Sequence, residues 1–139
     1  MLSDDWRHEA ISRFPELKDK LEDERDIETP YMLWFDLIDL FKKAYESPKD
    51  DTMINRVYSF ADWCVNQPEG STAEDDLGTC VCVCFYEEIP TCPGAIEEMP
   101  KWFSHSDVLA MKSTFSYSVG EEGFQQILSV YENLPKKQR

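Results

Sequence analysis

Five cysteines and two histidines are the residues of this sequence whose types lend themselves to metal or redox chemistry. Cys80, Cys82 and Cys84 stand one residue apart, Cys92 follows, and His105 lies farther on. A structural zinc site aims its paired thiolates at one ion across a turn, with about two to four residues between them. A one-residue spacer does not do this. On a helix, residues two apart point roughly 200° from each other, so the three thiols would diverge. As small apolar side chains filling a core they need no ion, and that reading outweighs a metal or redox site. His8 and His105 stand beside polar residues near expected helix starts. No H-E-x-x-H, nucleophile elbow or glycine-rich phosphate loop occurs. The sequence therefore offers no catalytic residue, no cofactor and no metal ligand set.

The carboxylates are distributed unevenly. From Val57 to Met111 there are ten acids (Asp62, Glu69, Glu74, Asp75, Asp76, Glu87, Glu88, Glu97, Glu98 and Asp107) against one base, Lys101, which makes −9 of the total −14. The remaining residues hold 18 acids and 13 bases, only −5. Such a surface can serve solubility alone. It can equally be a docking face for a cationic protein, gaining association rate by electrostatic steering. On the docking reading, Asp62, Asp75, Asp76, Glu87 and Glu88 steer and pair. Trp63 and Trp102 anchor, because neither falls cleanly on the apolar stripe of its helix. The plainer account of both indoles is that they seal the edge of the core. Two other classes remain open: a metal-dependent hydrolase holding a hard cation between clustered carboxylates, and a structural subunit that only oligomerises.

The totals narrow the field further. A net charge of −14 and an isoelectric point near 4.4 argue against nucleic acid or an anionic membrane, since both demand Lys and Arg to neutralise phosphate. A basic protein is the electrostatic complement. The odd cysteine count, three of them in the most apolar stretch, and an N-terminus unlike a signal peptide point to a reducing cytoplasm. With 139 residues and 42% hydrophobic composition, one domain with one core is expected over 1–139.

That core is expected around Leu77 to Tyr86, ten uncharged residues bracketed by acidic pairs. Left exposed, the stretch would forfeit about 25 cal/mol per Å² of apolar surface. The Cys/Val alternation resembles a strand, but Thr72 and Asp75 form an N-cap pattern and Pro90 is a stop, so a buried helix is expected from about Ala73 to Glu88. Before it come Asp4 to Phe14, capped by Ser3, a short turn from Pro15, a helix from Thr29-Pro30 to Glu46, and one from Thr52 to Asn66 capped by Asp50 or Asp51. After it come a short helix to Met99, a turn at Pro100 to Phe103, a helix capped by Ser106 running to Tyr117, and a last helix behind a Ser118/Glu121 capping box. The expected fold is all-α, a bundle of about six helices that could also be stacked hairpins.

Three stretches carry a resemblance: Arg56 to Cys64 (RVYSFADWC), Asp76 to Thr79 (DLGT) and Met99 to Trp102 (MPKW). With the length and acidity, they make the chain similar to a group of small bacterial helical proteins of unknown function, and similar in character to immunity proteins that neutralise polymorphic toxins. The resemblance implies an all-α fold and a protein partner, and it supplies no active-site residue.

Overall fold

The computed structural model describes residues 5–23, 27, 29–46, 48–68, 76–92 and 94–133. Among these the chain is all-α: nine α-helices joined by short 3₁₀ turns, with no strand. It forms two compact units, Met1–Cys84 and Phe85–Arg139. No helix among the described residues is long and apolar enough to cross a membrane.

The first unit contains α1 (Asp5–Arg13), α2 (Lys18–Glu22), α3 (Pro30–Ala44), α4 (Asp51–Val65) and α5 (Leu77–Cys84). Helix α3 starts where Thr29 and Pro30 place it, the Thr29 hydroxyl accepting from the Met32 amide at 3.4 Å. Asp50, rather than Asp51, caps α4 by accepting from the Met53 amide at 3.0 Å. The Ser3 cap expected for α1 lies outside the described residues. Aromatic rings fill the space between the helices. The Phe60 ring meets Trp34 at 5.7 Å and Phe14 at 5.9 Å, while Phe41 meets Tyr58 edge-on at 5.4 Å.

Helix α5 packs against both α3 and α4. Its period is settled by which residues are buried: Leu77, Cys80, Val81 and Cys84, the i, i+3, i+4, i+7 set of a helix face. Cys82 is half-buried and Val83 is 43% exposed. The stretch is thus wrapped on one side and not on every side. Asp76 caps it, its Oδ1 accepting from the amides of Gly78 at 3.1 Å and Thr79 at 3.3 Å. The Thr72/Asp75 cap falls outside the described residues. The helix also ends earlier than expected, at Cys84; Tyr86–Thr91 is a 3₁₀ segment containing Pro90.

The second unit follows the 3₁₀ segment with α6 (Ala95–Glu98), a 3₁₀ turn Met99–Lys101, α7 (His105–Ala110), α8 (Lys112–Ser116) and α9 (Gly120–Glu132). The single helix expected from Ser106 to Tyr117 is instead two, broken at Met111. The cap is Ser104, not Ser106: its hydroxyl accepts from the Asp107 amide at 3.0 Å while Asp107 accepts from the Ser104 amide at 3.1 Å. Nor does Ser118 cap α9. Val119 is the N-cap residue, with no side-chain bond, and the Ser118 hydroxyl donates to Glu88 Oε2 at 3.1 Å. The core is Phe85, Ile89, Met99, Phe103, Val108, Phe115, Phe124, Ile127 and Tyr131. Tyr131 donates its hydroxyl to the Phe103 carbonyl at 2.8 Å, and Phe103 meets Phe115 edge-on at 5.0 Å.

Candidate functional site

The residues singled out from the sequence divide between the two units. Asp62 and Trp63 occupy the last turn of α4 and Asp76 the start of α5. In the second unit, Glu87 and Glu88 lie in the 3₁₀ segment and Trp102 follows the Met99–Lys101 turn. Asp75 is outside the described residues.

Within the first unit, α4 ends beside the start of α5: a Cβ added to Gly78 would stand 3.9 Å from the Val65 Cα. The carbonyls that α4 leaves unpaired at this end are met by side chains one turn on. Asn66 donates to the Asp62 carbonyl at 2.8 Å and Gln67 to the Trp63 carbonyl at 3.0 Å. The Asp62 carboxylate itself is exposed. Trp63 is half-buried, stacked on Phe60 with centroids 5.9 Å apart and planes 10° from parallel. Part of the indole therefore belongs to the core and part remains at the surface. Asp76 already has a structural task, since its carboxylate caps α5.

In the second unit, Glu87 and Glu88 are both half-buried. Burial, and then the neighbouring Glu88 carboxylate, push the Glu87 carboxyl above its ordinary value. Glu88 is tied into its own unit through the Ser118 hydroxyl and, by its carbonyl, through Thr91 at 2.7 Å. Lys101, the only base between residues 57 and 111, forms an ion pair with Glu98 at 2.8 Å. Glu97 is exposed, and Asp107 is exposed but engaged in the α7 capping box.

The thiols do not converge on an ion. Among the described residues no three of His, Cys, Asp and Glu are grouped to hold one. Cys64, Cys80, Cys84 and Cys92 are buried and none of the five cysteines is in a disulfide. Burial, and then the neighbouring Cys80, push the Cys64 thiol upward, which keeps it protonated and unreactive at neutral pH.

Two concavities in the first unit went unnoticed in the sequence. One, about 340 Å³, is lined by Lys20, Ile27, Met32, Phe35 and Asp36. Phe35 is 62% exposed at its edge, although it lies on an otherwise largely apolar helix. The other, also about 340 Å³, is lined by Arg13, Thr52, Asn55, Arg56 and Ser59. Four of those five stand at i, i+3, i+4 and i+7 along α4, so their common face was readable; the contribution of Arg13 from α1 was not.

Arg56 is the hub of this second cleft. Its Nη1 and Nη2 donate to the two Glu16 carboxylate oxygens at 2.9 and 2.6 Å, and its Nε and Nη2 donate to the Arg13 carbonyl at 3.1 and 2.6 Å. The guanidinium also lies 4.9 Å from the centre of the Phe14 ring. This hydrogen bonding holds Glu16 below and Arg56 above their ordinary values. Arg13 donates through Nε to Glu9 at 2.7 Å.

A family model described as a domain of unknown function (DUF7674) matches residues 7–106. The match takes in the first unit from Arg7 onward and the second as far as Ser106 in α7, leaving α8 and α9 beyond it. No curated protein and no solved structure matches the chain.

Proposed function

The chain belongs to the DUF7674 family, a domain of unknown function, and we propose that it is a non-enzymatic protein-binding module whose acidic middle region docks on a basic protein. In this reading it acts by occlusion, as the immunity proteins of polymorphic toxin systems do, and makes or breaks no bond. The observation that carries it is the uncompensated charge: ten acids face one base over residues 57–111, and that base, Lys101, is engaged by Glu98. Asp62 and Glu97 stand exposed, available for steering. The exposed part of Trp63, beside Asp62, supplies the aromatic contact that charge alone lacks.

The test measures association rates with a basic protein that binds the chain, at low and at physiological salt. Asp62→Lys and Glu97→Lys are the informative reversals, because neither side chain caps a helix or holds an ion pair among the described residues. Reversal of Asp76 or Glu88 would disturb a cap or the Ser118 bond as well. The double variant is expected to associate about tenfold more slowly at low salt and to approach the parent as salt rises. An unchanged on-rate at low salt removes the electrostatic reading.

A further inference from the structure

Helix α3 turns Leu33, Trp34, Leu37 and Phe41 into the core and leaves Phe35 outside it. Residues two apart on a helix point roughly 200° from each other, so Phe35 cannot join Leu33 and Leu37. At 62% it is the most exposed of the large hydrocarbon side chains described, and among the described residues no other ring packs on it. Beside it the surface is hollow. Phe35 and Met32, three residues apart, share a face of α3, and with Ile27, itself 2% exposed, they form the apolar side of the concavity of about 340 Å³. Lys20 of α2 and Asp36 form the polar side. These two are paired at 3.6 Å, longer than a hydrogen bond, and Asp36 has no other ion pair or hydrogen bond among the described residues. A half-buried carboxylate thus stands beside an apolar hollow with its acceptor capacity open.

We propose that this hollow receives one large apolar side chain of a basic protein, a Lys or Arg next to that side chain pairing with Asp36. A lone exposed apolar side chain needs no explanation, but one at the rim of a hollow with an apolar floor is placed as the wall of an anchor pocket. The volume is at the lower end of small-molecule pockets and holds an aromatic or long aliphatic side chain and little more. Charge decides whose side chain it is. Residues 18–28, which supply Lys20 and Ile27, carry six acids against three bases. A second copy of the chain would bring −14 against −14, whereas a cationic segment gains from the local acids and from Asp36 together. The hollow lies on α2 and α3, outside residues 57–111, so this contact goes beyond the acidic-region reading and stands or falls without it.

The test is a titration of the full chain with three capped tripeptides, Lys-Trp-Lys, Glu-Trp-Glu and Lys-Ala-Lys, at fixed ionic strength, followed at backbone amides by magnetic resonance. Lys-Trp-Lys should give saturable shifts at Lys20, Met32, Phe35 and Asp36. Each of the other two should bind about tenfold more weakly, one lacking the charge and the other the ring. Phe35→Ala should weaken Lys-Trp-Lys about tenfold. Most of that side chain is in water, so the variant should melt as the parent does, which excludes misfolding as the cause. Asp36→Asn should weaken Lys-Trp-Lys and leave Glu-Trp-Glu no weaker than before. Equal binding of Glu-Trp-Glu removes the charge argument, and equal binding of Lys-Ala-Lys removes the pocket; either overturns the proposal. So does a parent that sediments as a dimer which Phe35→Ala dissociates, since the occupant is then a second copy.

Discussion

Arg56 shows how much one surface side chain does in an acidic protein. Its fork holds Glu16 in a two-point pair, closes the last carbonyl of α1 and covers Phe14. The Glu16 carboxyl lies below its ordinary value chiefly because of the Arg56 hydrogen bond. A depressed carboxyl contributes stability above its unfolded pKa and loses that contribution as pH falls through the folded value. Glu16→Gln should therefore be less stable than the parent at neutral pH. With both partners partly in water the difference is about 1 kcal/mol. Denaturation in urea across the acid range checks this: the gap should close as pH falls below the ordinary carboxylate range, and a gap that persists there would point to packing rather than charge. Arg7 makes the same point from inside the core. It is only 7% exposed, donates to the Leu21 carbonyl and lies 4.7 Å from the centre of the Trp6 ring. Its charge hid it from a reading that looked for apolar faces, while the apolar Ile11 on the same helix is only half-buried.

Elements were legible where local signals were strong and obscure where packing decided. Thr29-Pro30 marked one helix start correctly and the pair Asp50-Asp51 a second, with Asp50 the one that caps, because a cap and a proline act within one turn. The Ser118/Glu121 pattern misled. Gly120 has φ +72, a left-handed conformation, so the chain enters α9 by a backbone turn and leaves Ser118 free to bond Glu88. Glu121 instead pairs with Lys112 at 3.1 Å and accepts from Gln125 at 3.0 Å. One turn into α9 lies a position that tests this entry. A Cβ on Gly123 would stand 2.3 Å from the Val119 Cβ and 2.4 Å from its Cγ2, closer than side chains approach. Helix propensity alone favours Gly123→Ala by about 1 kcal/mol. The clash should win, with a net loss of about 1 to 2 kcal/mol in chemical denaturation, and Val119→Gly in the same chain should recover it. A stabilised Gly123→Ala would mean that Val119 swings clear.

For the whole molecule, composition delivered the class and pattern did not deliver the divisions. An all-α chain followed from caps and prolines spaced along it; the boundary after Cys84 did not, because Cys84 and Phe85 are both buried and no linker composition marks the place. Among the described residues the helices number nine against about six expected, in part because α7 and α8 separate at Met111, where nothing in the local sequence resembles a breaker, and because Lys18–Glu22 forms the helix α2 after the turn at Pro15. The candidate docking residues were legible as charge but not as geometry: Asp76 and Glu88 proved to be occupied in holding local structure. Net charge makes its own prediction. With −14 spread over 139 residues, self-repulsion works against the folded state, and raising salt from about 0.01 M to about 0.15 M shortens its range from about 30 Å to about 8 Å. The thermal midpoint should rise by a few degrees over that interval, as scanning calorimetry can read. A midpoint that falls would mean that the ion pairs, Arg56 with Glu16 foremost, outweigh the repulsion.

The bonds from Arg56 back to the Arg13 carbonyl span 43 residues of chain. During synthesis, α1 leaves the ribosome long before its clamp does, so the first helix must wait, with its final turn open to water, until α4 has been made. The contact that closes the end of α1 is therefore one that only a later-made helix of this unit supplies.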